Sequence, residues 1–239
     1  MGLIGYLIYF NTVKSDDFIN SPYNTRQDTF SDRVVRGSIL SSDGEVLAQT
    51  NVSEDGTEER SYPYGNTFAH VVGYDTNGKS GLESEANFQL LSSHEFFLNQ
   101  IRNEFMGTKN TGDSVVSTLS ADLQTTAYNS LGDRRGAVVA LEPSTGKILA
   151  MVSKPDFDPN TISENWDSLV NDETNSSLLN RATMGQYPPG STFKVVTALD
   201  YFRTHGSFNG FSFDCQGSIT KEGHTIQCYN GNVHGTEDF

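Results

Sequence analysis

The residues with the clearest chemical potential are Ser191 and Lys194, in the run Ser191-Thr192-Phe193-Lys194. A serine hydroxyl becomes a nucleophile when a neighbouring base takes its proton, and a lysine that has lost its charge is such a base. The Ser-x-x-Lys pattern is weak by itself, and Ser144 with Lys147 and Ser218 with Lys221 also fit it. Ser144 and Lys147 lie in the reversal around Pro143-Ser144-Thr145-Gly146, where a turn sends the two side chains onto unrelated vectors. Ser218 and Lys221 flank β-branched Ile219 and Thr220, so strand alternation is expected there rather than helical spacing.

Ser191 differs because Pro188-Pro189-Gly190 imposes a non-helical approach, and an apolar helical period follows through Val195, Ala198, Leu199 and Phe202. At about 100° per residue, Ser191 and Lys194 share the face of that stripe, opposite Thr197, Asp200 and Thr204. The spacing predicts a lysine turned inward, its charge disfavoured by desolvation, one turn from the hydroxyl it deprotonates. Free N–H groups at the helix start would favour an oxyanion beside the serine. The plain alternative is a serine that only caps the helix and a lysine that extends to solvent.

The elements that must position this pair are legible around turn signals. Asp43-Gly44 between Ile39-Leu40 and Val46-Leu47-Ala48 predicts a hairpin. Residues 51–66, poor in aliphatics, read as a surface loop, and buried character resumes at Phe68–Tyr74. Gly81-Leu82-Glu83 opens a helical stretch toward Leu91. A second unit begins near Gly112-Asp113, with a strand at Val115-Val116 and a helix capped by Ser120 and stopped by Gly132. Leu123, Ala127 and Leu131 are its expected apolar face. Gly136–Leu141 and Lys147–Val152 form an antiparallel hairpin. Asp156 and Asp158, bracketed by prolines, read as turn residues rather than paired catalytic carboxylates. There is no internal repeat and no glycine-rich phosphate loop.

A net charge of -14 repels phosphate backbones, so nucleic acid is not an expected partner. The carboxylates, among them Asp16, Asp28, Glu142 and Asp214, are spread along the chain, as on a solvated folded surface. Cys215 and Cys228 leave three states open: a single bridge, free thiols, or a zinc set with His224 and His234. The spacing C-x8-H-x3-C-x5-H lacks the tight pair of a structural zinc site, and no metal or cofactor is expected. The apolar run Met1–Phe10 is about half of the ~20 residues a spanning helix needs. It fits either an ordinary buried helix or strand, or the outer end of a membrane anchor.

The order of several segments resembles the class B penicillin-binding proteins. Arg36-Gly37, Asp43-Gly44 and Leu47-Ala48 look like the start of that family's pedestal, and His70-Val71-Val72-Gly73-Tyr74 with Gly81-Leu82-Glu83 like its later part. Gly112-Asp113, Leu123-Gln124, Gly136-Ala137, Pro143-Ser144-Thr145-Gly146 and Ile148-Leu149-Ala150-Met151 resemble the opening of its transpeptidase domain. Asn180-Arg181-Ala182 and Tyr187-Pro188-Pro189-Gly190-Ser191-Thr192-Phe193-Lys194 match the nucleophile region closely, and the likeness runs from about residue 20 to the end.

The resemblance implies an α+β pedestal followed by an incomplete α/β penicillin-binding transpeptidase domain, an antiparallel sheet packed with helices. Its implied division is an anchor remnant over 1–12, the pedestal over 13–111 and the truncated transpeptidase part over 112–239. It implies a Ser191 acyl-enzyme that cross-links peptidoglycan stem peptides, Lys194 as its base, and β-lactam antibiotics acylating the same serine. It further implies a single N-terminal membrane anchor, an extracytoplasmic catalytic part and a membrane-embedded glycosyltransferase partner. The family's Ser-x-Asn and Lys-Thr-Gly-type motifs are expected after the nucleophile helix. Ser207-Phe208-Asn209 follows it too closely, and Lys79-Ser80-Gly81 precedes Ser191, so order excludes both. The sequence therefore reads as a fragment cut at both ends, expected to label weakly or not at all with penicillin by itself. The rival readings are a non-enzymatic envelope scaffold and a β-lactam sensor or β-lactamase.

Overall fold

The computed structural model describes residues 2–14 and 31–238, so Asp16, Asp28 and the rest of 15–30 lie outside the described residues. Two compact units form, Met1–Gln186 and Tyr187–Phe239. In the first, the apolar start is a helix, α1 (Gly2–Tyr9), that runs into a π-helical turn over Phe10–Lys14. No residue of α1 is buried, and Leu3 is 72% exposed. This overturns the buried alternative for that stretch. Among the described residues no helix is long and apolar enough to cross a membrane.

After β1 (Val34–Val35), the Asp43-Gly44 turn joins β2 (Ile39–Leu40) to β3 (Val46–Val52) in antiparallel register, with Gly44 at φ +87°. The expected loop over 51–66 is in part a strand: β4 (Glu58–Ser61) pairs with β3, Gln49 opposite Ser61. Its polar residues carried no apolar alternation because the strand is held by its ladder with β3 and by the buried head of Arg60. The next helices are short: α2 (Ala69–Val72), α3 (Gly81–Glu85), α4 (Asn87–Leu90) and α5 (Phe97–Met106). Then β5 (Asn110–Thr111) lies parallel to β1, and β6 (Val115–Val116) parallel to β2, completing a sheet of order β4-β3-β2-β6. Ile39, Leu47, Phe68, Val72 and Leu90 form the core against it. Gly37 and Gly112 are needed where the chain crosses itself. A Cβ at Gly37 would stand 2.0 Å from the Asp113 carbonyl oxygen, and one at Gly112 2.0 Å from that of Leu90.

Glu83, fully buried, ties this region together. It accepts from Arg36 Nε at 2.6 Å and from Arg60 Nε at 2.8 Å. Arg36 also donates to Asn87 Oδ1 and to the Glu83 carbonyl oxygen, and Arg60 to the Gly37 carbonyl oxygen. Such burial of charge is tolerable because each ion is paired; the Arg60 Nη2, which makes no hydrogen bond, stands 2.8 Å from Glu83 Oε1 as an ion pair.

Ser120 caps α6 (Ala121–Leu131) by accepting from the Leu123 N–H, and Gly132 ends it at φ +55°, both as expected. The buried face is rotated from the expected one. Leu123 is exposed, and the inward residues are Ala121, Gln124 and Ala127. Gln124 wins that place through hydrogen bonding. Its Nε2 donates to the carbonyl oxygens of Thr67 and Met151, both at 2.8 Å, and its Oε1 accepts from the Met151 N–H at 2.7 Å. One amide thus joins the pedestal segment to the strand that follows. Replacing Gln124 by leucine strands three part-buried backbone groups and is expected to cost about 3 kcal/mol. A urea unfolding midpoint unchanged from the parent would refute that.

The hairpin of β7 (Gly136–Leu141) and β8 (Ile148–Lys154) forms as expected, turning at Gly146 with φ +75°. Asp158 caps the 3-10 turn over Pro159–Thr161 by accepting from the Asn160 N–H, ahead of α7 (Ile162–Val170), whereas Asp156 accepts from the distant Asn66 Nδ2. His70 is buried edge-on to Phe157. Its Nε2 stands 2.8 Å from the Ser177 carbonyl oxygen, so this nitrogen carries the proton and donates it. Burial pushes its pKa below the ordinary 6.5. The unfolded chain then binds more protons than the folded one below about pH 6.5, and stability falls as the pH is lowered through that range. We expect Tm to drop between about pH 7 and pH 5, and His70→Gln to flatten the drop; an equally steep profile in the variant would contradict this.

The second unit starts with a 3-10 turn over Gly190–Phe193 and continues as α8 (Lys194–His205), which Gly206 ends at φ +74°. Two antiparallel ribbons follow. One pairs β9 (Ser212–Cys215) with β12 (Gly235–Asp238), and the other pairs β10 (Ser218–Lys221) with β11 (His224–Gln227).

Candidate active site

Gly190, at φ +55°, turns the chain out of the proline pair and into the 3-10 turn that carries Ser191. The residue preceding α8 is Phe193 and no side chain caps the helix, so Ser191 is not a capping serine. The hydroxyl that does bond locally is that of Thr192, which donates to the Pro189 carbonyl oxygen at 2.5 Å. Ser191 and Lys194 line one cavity of about 470 Å³, together with Phe213, Cys215, Ser218, Ile219, Ile226 and Cys228. The structure thus brings the two expected site residues to a single wall.

The inward lysine is not seen. Lys194 is exposed, and so is the stripe expected to desolvate it: Val195 is 65%, Leu199 59% and Phe202 46% exposed. An apolar stripe buries a neighbour only when a second surface covers it, and the described residues place none there. What order this end of α8 has comes from rings, Phe202 against Phe208 and Tyr201 against Phe211.

Of the two decoys, Ser144 and Lys147 sit in the β7–β8 turn of the first unit. Ser218 and Lys221 lie on β10 in the expected alternation, yet Ser218 lines the Ser191 cavity. Lys79-Ser80-Gly81 falls in the first unit, outside that cavity.

The cysteines are brought together more closely than their spacing suggested. Cys215 and Cys228 are free thiols with Sγ atoms 3.4 Å apart, and His234 Nδ1 stands 3.4 Å from Cys215 Sγ. These three side chains could hold a thiophilic cation, whereas His224 is not part of the group. The His234 ring, with the backbone N–H groups of His234 and Gly217, holds the Cys215 thiol down to about 6, while hydrogen bonding with Cys215 pushes that of Cys228 up. The missed signal was Glu222-Gly223. With φ of +52° and +82° they form the tight turn of the β10–β11 hairpin, which returns Cys228 to the level of Gly217.

Residues 136–238 match the family model for the penicillin binding protein transpeptidase domain, and residues 36–115 that for the penicillin binding protein A dimerisation domain. The chain belongs to the class B penicillin-binding proteins. This penicillin-binding protein is 41% identical to the peptidoglycan D,D-transpeptidase PbpA of Mycolicibacterium smegmatis over 180 residues, 68% of this chain and 36% of that protein. It is 30% identical over 184 residues to MrdA of Escherichia coli, covering 62% of this chain and 29% of that protein. The structure of penicillin-binding protein A from M. tuberculosis as a penicillin G acyl-enzyme complex superposes with a TM-score of 0.74 at 30% identity, over 85% of this chain and 50% of that one. The fold is the expected one, an α+β pedestal followed by part of a transpeptidase domain. The chain spans about a third of the length of the curated PbpA relatives it matches, with 36% covered.

Proposed function

We propose that the protein carrying this chain is a peptidoglycan D,D-transpeptidase, with Ser191 as nucleophile and Lys194 as its base. The observation that supports this most is the cavity shared by Ser191 and Lys194 at the start of α8, inside the segment that matches the transpeptidase family model. In that reading Ser191 Oγ attacks the penultimate D-Ala carbonyl of a stem peptide, Lys194 takes the hydroxyl proton, and the terminal D-Ala leaves. A neighbouring stem-peptide amine then takes the acyl group and releases the serine. β-Lactams acylate the same oxygen, the amide of the strained ring standing in for the peptide bond.

Residues 13–111 serve as the pedestal and 112–239 as the first part of the catalytic domain. The exposed apolar residues of α1 support a single N-terminal anchor, and in this reading the catalytic part works outside the membrane, where a membrane-embedded glycosyltransferase would supply the glycan strands.

The test is to react the full-length protein that carries this chain with a fluorescent penicillin and map the adduct by peptide mass spectrometry. The expected result is one stable adduct on the peptide that contains Ser191. An adduct elsewhere would refute the assignment, and rapid turnover to hydrolysed penicillin would make the protein a β-lactamase instead.

A further inference from the structure

We propose that Cys215 and Cys228 are a reversible redox pair in the wall of the Ser191 cavity, a site whose oxidation to a disulfide joins the two ribbons of the second unit. The effect on acylation rests on Ser191 being the nucleophile; the redox chemistry does not. Each thiol belongs to a different ribbon. Cys215 ends β9 and pairs with Gly235 of β12, while Cys228 follows β11 and its N–H donates to the Gly217 carbonyl oxygen at 2.9 Å. Both are free and both line the cavity with Ser191 and Lys194.

Their sulfurs, 3.4 Å apart, need to close to the ~2.05 Å of a disulfide, a movement of ~1.4 Å in a wall of that cavity. His234 Nδ1, 3.4 Å from Cys215 Sγ, marks Cys215 as the attacking sulfur and leaves Cys228 as the resolving one. A metal is the competing occupant of the same atoms. The redox reading is favoured because the convergent group among the described residues has three members, short of the four ligands of a closed structural zinc site.

The chemistry is thiol–disulfide exchange with a small disulfide. Cys215 Sγ, its proton passing to His234, attacks one sulfur of the oxidant and expels a thiolate, giving a mixed disulfide. Cys228 Sγ then attacks the Cys215 sulfur and expels the second thiolate. The protein loses two electrons and two protons, and the oxidant becomes two thiols.

The experiment treats the full-length protein that carries this chain with oxidised glutathione and follows three readouts. The expected results are loss of both alkylatable thiols with a Cys215–Cys228 linked peptide, slower amide exchange across the β10–β11 hairpin, and penicillin acylation slowed at least tenfold and restored by reduction. A displacement of about 1 Å near reacting atoms carries a penalty of that order or larger. In the Cys215→Ser/Cys228→Ser variant, oxidant is expected to change neither exchange nor acylation rate. The proposal is overturned if both thiols stay alkylatable, if the protein carries one equivalent of zinc that must be chelated before they react, or if the linked form acylates at the reduced rate. Should Ser191 prove not to be the nucleophile, no adduct maps to it in either state, while linkage and hairpin exchange still decide the redox pair.

Discussion

Replacing Ser191 by alanine is expected to lower penicillin acylation of the catalytically competent protein by about 10⁶-fold, to background, because the oxygen that forms the covalent bond is gone and other cavity groups contribute only binding. Circular dichroism and Tm are expected to stay at parent values, since the side chain is exposed and caps no helix. Lys194→Ala keeps the nucleophile and removes its base, so a loss of about 10³-fold is expected, smaller than that of the serine variant. The ordering of the two losses is the discriminating feature. Equal and total loss would mean that the lysine is needed for more than proton transfer. Labelling that persists in Ser191→Ala would move the nucleophile elsewhere, and Ser218, on the same cavity, would be the first residue to replace.

The second large effect belongs to the first unit, not to the one that carries the serine. Glu83→Leu is expected to destabilise the first unit by about 3–5 kcal/mol, because it removes one acid and leaves two buried arginines without their counter-charge. Side-chain exposures of 8% for Arg36, 6% for Arg60 and 0% for Glu83 leave water little room to compensate. Glu83→Gln tests the origin of the effect: it keeps the shape and an acceptor but not the charge, so it should fall between the parent and leucine. Replacing Arg36, Arg60 and Glu83 together by apolar residues of similar volume should recover much of the loss, since the desolvation cost disappears with the charges. Denaturant titration of the single, glutamine and triple variants measures all three. A Glu83→Leu midpoint within error of the parent would show that the cluster is hydrated despite its burial.

The network also shows where the sequence was silent. Arg36 and Glu83 stand in segments whose likeness to the family was legible, yet nothing in their spacing joined them to each other or to Arg60. Residues 51–66 read as a loop because a strand whose outer face is solvated and whose inner contact is an arginine head carries no hydrophobic alternation. On α6 the apolar period selected Leu123, and the neighbouring Gln124 took the interior because three backbone groups there required partners. Hydrophobic patterning ranks side chains by transfer from water and does not count the polar groups that burial leaves to be satisfied.

The sequence by itself determined the turns and singled out the candidate nucleophile. Asp43-Gly44, Gly132 and Pro143–Gly146 act through local backbone conformation, and Pro188-Pro189-Gly190 isolates one Ser-x-x-Lys of three at a helix start. Tertiary structure alone decided what surrounds that serine. It placed Ser218 and both thiols on the cavity wall, because the β10–β11 hairpin folds residues separated in the chain onto one surface. It also left Lys194 in solvent, because a helical period states which residues share a face and cannot state whether a second surface arrives to cover it.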